Sequence, residues 1–162
     1  MSDPFLGEPA YTENVVYMRL HGLGARPYYY QYSDDELKIL ESKVKEKLGR
    51  GREVYVLFNN LSMFDDALRF HTYLEKGKLP TLTSAYGIES FRRVFERSRF
   101  PTTLGKLRRR LGWKLFDVEL GKQSRVDAIL ERMPPESFRS LEELAEAAKK
   151  YIVQIWFSVR LR

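Results

Sequence analysis

Residues 53–60 read Glu53-Val54-Tyr55-Val56-Leu57-Phe58-Asn59-Asn60. The apolar run is rich in β-branched and aromatic residues and reads as a buried strand. The two amides that end it have two readings. Asn after a strand is common turn chemistry, because it tolerates left-handed backbone and bonds to its own main chain. Two amides at a strand end are also donors and acceptors placed where a ligand would meet them.

The neighbouring sequence sets this strand in a repeating order. Val15-Val16-Tyr17-Met18-Arg19-Leu20 is a second strand of the same composition. A glycine-rich loop from His21 to Pro27 and the cluster Tyr28-Tyr29-Tyr30-Gln31-Tyr32 follow it. Ser33-Asp34-Asp35-Glu36 has capping-box spacing, with Leu37, Leu40, Val44 and Leu48 at helical spacing behind it and Gly49 at its end. After Asn60 a helix is expected from about Ser62, with Asp65 and Asp66 in its first turn. Phe64, Ala67, Leu68, His71 and Leu74 mark its expected inner face, His71 as a core histidine, and Gly77 and Pro80 end it. Two strands joined by a helical crossover should be parallel. Their near-continuous apolar character predicts a sheet covered on both faces.

The chain has 162 residues, 43% hydrophobic and 14% aromatic, which suits a globular core rather than a disordered chain. It has no cysteine and only two histidines, which removes disulfides, thiolate metal sites and a typical structural zinc site. No apolar run approaches the roughly 20 residues of a spanning helix, and the start carries no signal-peptide pattern. The expectation is a soluble, cytoplasmic protein with no membrane partner. Abundant Arg, Lys and Glu without Cys also suit a thermophile.

Charge divides the chain. Residues 1–90 carry 11 Lys/Arg against 13 Asp/Glu, and residues 91–162 carry 17 against 9, within a net charge of +6. That asymmetry, with the helix-breaking Gly77 and Pro80, predicts a strand–helix–strand–helix segment over 1–85 and a basic, mostly helical extension over 86–162. In the extension, Ile88, Phe91, Val94 and Phe95 mark one helix, and Leu104, Leu107 and Leu111 another that ends at Gly112. Trp113–Leu120 reads as a strand. A short helix is expected over Ser124–Met133, before Pro134-Pro135. Ser140-Leu141-Glu142-Glu143 opens a last helix that reaches Lys150; Tyr151–Val159 is compatible with helix or strand.

Ligands of parallel α/β sheets bind beyond the carboxyl ends of the strands. The candidates there are Arg19, His21, Asn59 and Asn60, with Tyr30 from the tyrosine cluster. An arginine fork, an imidazole and two amides suit a phosphate, carboxylate or sugar-like ligand. His21 is the candidate acid or base, since an unperturbed imidazole titrates at about 6.5. Other readings stand beside these: Arg19 as an interior ion-pair partner, and the tyrosines as packing. No nucleophile–base pair, phosphate loop or dinucleotide fingerprint is present, so no cofactor is named. The alternative site is the basic run 91–114, with Arg92, Arg93, Arg108, Arg109 and Arg110 as candidate nucleic-acid contacts. Its competing readings are a solvated basic face and a patch that docks on the acidic first half.

Three stretches in order and spacing carry a family resemblance: Val16-Tyr17-Met18-Arg19-Leu20-His21-Gly22, Tyr30-Gln31-Tyr32-Ser33-Asp34-Asp35-Glu36-Leu37, and Val54-Tyr55-Val56-Leu57-Phe58-Asn59-Asn60. They resemble the YecE-like family, domain of unknown function 72. The resemblance implies the last two strands and helices of a TIM-barrel-like fold, with no established activity. It departs from the family at Leu20, where an aromatic is usual, and at Ala67-Leu68-Arg69-Phe70, where an Asn-Ala pair is usual. It also implies a need for further strands: a homo-oligomer, the chain's own C-terminal half, or a second chain completing the barrel. Residues from about 86 to 150 resemble, more weakly, a small helical module of unknown function.

Overall fold

The computed structural model describes residues 3–160, with side chains as far as residue 155. It is a mixed α/β chain that divides into two compact units, Met1–Pro80 and Thr81–Arg162.

In the first unit, β1 (Ala10–Tyr11), β2 (Val15–Leu20) and β3 (Glu53–Phe58) form one sheet in that order. β1 runs antiparallel to β2, and β2 runs parallel to β3, with Tyr17 beside Tyr55 and Arg19 beside Leu57. Helix α1 (Asp34–Leu48) fills the crossover and α2 (Met63–Lys76) follows β3. The cap of α1 forms as its spacing predicts: Ser33 Oγ accepts from the Glu36 N–H at 3.3 Å, and Glu36 Oε2 accepts from the Ser33 N–H at 2.7 Å. Gly49 closes the helix with its N–H on Lys45 O. Leu37, Leu40 and Val44 are buried, whereas Leu48 is exposed.

The sheet is covered on one face only, which corrects the expectation of two covered faces. Val16, Met18 and Leu20 lie fully buried with Leu37, Leu40, Tyr32 and Phe70. Side chains alternate across a strand, so the intervening Tyr17, Arg19, Tyr55 and Leu57 fall on the other face, and all four are exposed.

Helix α2 is also turned the other way round. Its buried residues are Asp66, Arg69 and Phe70. The expected inner residues Phe64, Ala67, Leu68, His71 and Leu74 are exposed. His71 is a surface residue with Nδ1 3.5 Å from Glu75, not a core histidine. The physical reason is a set of charged and amide partners on the sheet side that only Asp66 and Arg69 can satisfy.

The second unit holds α3 (Gly87–Phe95), β4 (Thr102–Thr103), α4 (Leu104–Leu111), β5 (Leu115–Glu119), β6 (Lys122–Arg125), α5 (Asp127–Leu130), β7 (Ser137–Phe138) and α6 (Leu141–Arg160). β4 pairs with β7 and β5 with β6, both antiparallel. The expected strand at 113–120 is β5, but Ser124, expected in a helix, belongs to β6. The Asp117 side chain helps set this hairpin by accepting from Gln123 Nε2 at 3.1 Å. Helix α6 runs on past Lys150 to Arg160; Val159, expected on its apolar stripe, lies outside the described side chains. Ser140 Oγ accepts from the Glu143 N–H, while Glu143 Oε2 takes the N–H of Arg139 rather than that of Ser140. Every helix contributes to one core, including Phe91, Phe95, Leu107, Phe116, Ile129, Leu130 and Leu144.

Candidate functional site

Strand parity sorts the residues expected at the strand ends. Arg19 and His21 follow Tyr17 at steps of two, and Asn59 follows Leu57. Arg19 lies on the open face; His21 and Asn59 follow directly on the ends of β2 and β3 and are half-buried. Asn60 and Tyr30 belong to the covered side and are buried, at 3% and 7% exposure.

Asn60 has an architectural task. Its Nδ2 donates to Tyr30 O at 2.8 Å and to Asp66 Oδ2 at 2.7 Å, tying the tyrosine segment to α2. Its own carbonyl accepts from the Met63 N–H and helps start the helix. Tyr30 donates from its hydroxyl to Glu36 and packs edge-on against Tyr32. Both of these residues are therefore occupied inside the fold. At Asn60 the amide ties distant segments together rather than bonding its own turn.

The remaining three groups are differently placed. Arg19 is exposed, and its guanidinium has no hydrogen-bond or ion-pair partner among the described residues. Asn59 is half-buried; its N–H donates to Leu20 O at 2.7 Å, and its side-chain amide has no partner among the described residues. His21 is fixed from behind. Its N–H donates to Asp3 Oδ2 at 3.0 Å, its Nδ1 lies 4.0 Å from the same oxygen, and its ring meets Tyr28 edge-on. The next residue holds the loop: Gly22 has φ +97, and its N–H donates to Tyr32 Oη at 2.9 Å. A Cβ at Gly22 would sit 2.3 Å from that of Tyr30, so only glycine fits. Burial holds the Tyr32 hydroxyl well above the usual phenol range, so it stays a neutral acceptor for this contact.

Beneath the site lies a buried polar cluster that sequence reading missed. Asp66, fully buried, accepts from Asn60 and, at 3.3 Å, from the Tyr32 N–H. Arg69 donates to Tyr32 O at 2.8 Å and to Asp34, and its Nη1 lies 3.5 Å from Asp66 Oδ1. Burial pushes the Asp66 carboxyl up to about 7, against the lowering effects of the Asn60 hydrogen bond and the Arg69 charge. The available signal was an acid and a base three residues apart on one helix. Asp3 was missed too, since nothing in a polar lead-in marks a residue that will be fully buried.

The five basic candidates of the second unit are mostly committed. Arg108 makes a bidentate pair with Asp127 at 2.7 and 3.1 Å. Arg92 donates to Glu142 at 3.2 Å, and Arg93 to Thr83 O. Arg109 is exposed and also has an interaction within the chain. Only Arg110 of the five is exposed with no side-chain partner among the described residues. A groove in this unit, lined by Met133, Pro134, Glu146, Ala147, Tyr151 and Val153, contains none of these five.

Among the described residues no cluster of three or more His, Asp or Glu could hold a metal ion, and no helix is long and apolar enough to cross a membrane. No curated protein and no solved structure matches the chain. The family model for the protein of unknown function DUF72 matches residues 2–85, which holds the whole three-stranded sheet and both of its helices. That match spans more than half of the chain, and the chain belongs to the DUF72 family.

Proposed function

We propose that the first unit binds a small anionic or sugar-like ligand at the carboxyl ends of β2 and β3, as a barrel segment working within a larger or oligomeric assembly. The observation that carries this reading is the disposition of Arg19, His21 and Asn59. Arg19 lies on the open face of a parallel pair, His21 and Asn59 stand at the carboxyl ends of its two strands, and the side chains of Arg19 and Asn59 have no partner among the described residues. A guanidinium left free at such a place is suited to a phosphate or carboxylate. Asn59 supplies a neutral donor and acceptor for hydroxyls. His21 supplies an imidazole ring with two nitrogens for hydrogen bonding. The open face and the single-sided pairing of β3 favour completion of the sheet by further strands, since two- and three-stranded sheets gain stability from added partners. The membership in DUF72 supports the barrel-like setting; it names no reaction.

The test is a titration of the 15N-labelled full chain with inorganic phosphate, a carboxylate and a sugar phosphate, read by amide and Arg side-chain shifts. Shifts at Arg19, His21 and Asn59 that saturate with one of these, and that Arg19→Ala abolishes, are expected. Shifts confined to other residues would overturn the reading.

A further inference from the structure

Tyr28 lies between the two strand ends with its backbone in use and its side chain idle. Its carbonyl accepts from the Tyr30 N–H at 2.9 Å and from the Leu61 N–H at 2.8 Å. The second bond joins the loop after β2 to the chain two residues past Asn59. In this position Tyr28 holds φ +67, in the left-handed region. Glycine occupies that region without strain and Asn tolerates it, whereas a bulky side chain there is an outlier. Among the described residues Ser84 is the one other non-glycine with a positive φ, and its side chain is small.

The interior gains little from the Tyr28 ring. The residue is 46% exposed, and its hydroxyl has no hydrogen-bond partner among the described residues. Its ring meets that of His21 edge-on, with centroids 5.8 Å apart. The other tyrosines of the cluster are committed. Tyr30 and Tyr32 are buried; the Tyr30 hydroxyl donates to Glu36, and the Tyr32 hydroxyl accepts from the Gly22 N–H. Tyr29 lies under the Arg26 guanidinium at 3.5 Å. A backbone outlier from which the fold gains little points to a task outside the fold.

The neighbours of Tyr28 indicate the task. The ring stands beside His21, and the bond to Leu61 sets the residue near the Asn59 end of β3. Ligand sites combine an aromatic surface with a few polar groups that read the substituents of whatever rests on it. His21 and Asn59 are partners for hydroxyls, and Arg19 for an anionic group. A ligand that uses all four side chains has an apolar ring face, hydroxyls and a negative charge.

We infer that Tyr28 is a further ligand-binding residue, and that the ligand is a sugar phosphate stacked by its C–H face on the Tyr28 ring. This rests on the site proposed above and narrows its ligand from an anion or a sugar to one molecule carrying both features.

Two measurements on the full chain test it. The first needs no ligand. Asn suits the left-handed backbone, so the melting temperature of Tyr28→Asn should stay within about 3 °C of the wild type. A larger fall would make the ring part of the fold and overturn the inference. The second is calorimetric titration with ribose 5-phosphate and with inorganic phosphate at one pH and ionic strength. The wild type should bind the sugar phosphate roughly tenfold more tightly, the scale of one stacked ring. Tyr28→Asn should lose this preference, and Tyr28→Phe, which keeps the ring, should retain it. A preference that survives in Tyr28→Asn, or disappears in Tyr28→Phe, would overturn the inference. Binding of phosphate with no preference for the sugar phosphate would overturn it and leave the site standing, whereas binding of neither would overturn both.

Discussion

The two units of this chain treat apolar surface in opposite ways. Among the described residues, fourteen of the seventeen exposed large apolar side chains lie in the first unit, and only Tyr86, Leu120 and Val153 in the second. Buried polar groups follow the same division: Asp3, Gln31, Asn60, Ser62, Asp66 and Arg69 against Ser90 and Asp117. The second unit gathers its aromatic and aliphatic residues from every helix into one core. The first leaves a sheet face and a helix face uncovered and anchors itself partly by buried charge and amide contacts. A unit that stabilises itself by packing has little apolar surface left to offer. One that holds itself with polar contacts keeps apolar surface available for others.

The sharpest way to break this contrast is to truncate one phenylalanine in each unit. Phe116→Ala, fully buried between Phe91 and the rest of the second core, should cost about 3–5 kcal/mol. Urea unfolding followed by fluorescence of Trp113, which lies in the same unit, measures it. A loss below about 1 kcal/mol would mean that this core is not packed as described.

Arg69→Ala tests the polar anchoring of the first unit. It strips the buried Asp66 of its cationic neighbour and Tyr32 O of a donor, and should cost about 3–5 kcal/mol above neutral pH. Hydrogen exchange of the α1 and β2 amides reads the first unit separately. The cost should be smaller at pH 5, where Asp66 is neutral.

The third prediction concerns pH. Asp66 titrates at about 7 in the fold, above its ordinary carboxyl value of 3.8. The folded state therefore binds more protons than the unfolded one between roughly pH 4 and 7, and stability falls as pH rises through that window. The decline should reach a few kcal/mol at most and level off above about pH 8. In Asp66→Asn this part of the slope should vanish. A wild-type first unit that gains stability from pH 5 to 8 would show Asp66 ionised throughout and its anchoring to be a plain ion pair.

Ser33→Ala removes the α1 cap and should cost about 1 kcal/mol, measured by the same exchange. The smallest effect belongs to the counterpart of Phe116. Phe64→Ala, 77% exposed, should change the stability of the monomer by less than about 0.5 kcal/mol. A loss of several kcal/mol in dilute protein would mean that Phe64 is covered within a single chain.

Legibility followed the range of the interactions involved. The bounds of β2, β3 and α1 were readable because propensity, capping and periodicity act over a few residues. The Ser33–Glu36 box needs nothing beyond its own turn. The two-residue strands β1, β4 and β7 carry no such signal, since their pairing partners lie elsewhere in the chain. Helix α2 shows the limit most clearly. Periodicity identified its apolar stripe correctly but could not say which stripe would be buried. That depended on Asn60, Tyr32 and Asp34 converging on Asp66 and Arg69 from up to 37 residues away. The site divided in the same manner. Residue type placed Arg19, His21, Asn59, Asn60 and Tyr30 at the strand ends, while strand parity and burial separated the open groups from the occupied ones.

By itself, then, the sequence determined β2, α1, β3 and α2 of the first unit, the divided charge and the kinship to DUF72, because each is written in neighbouring residues. Tertiary structure decided which faces are covered and which polar groups are already bound. An unpaired polar group is costly to bury, so partners brought together by the fold can outweigh the apolar stripe that local sequence presents.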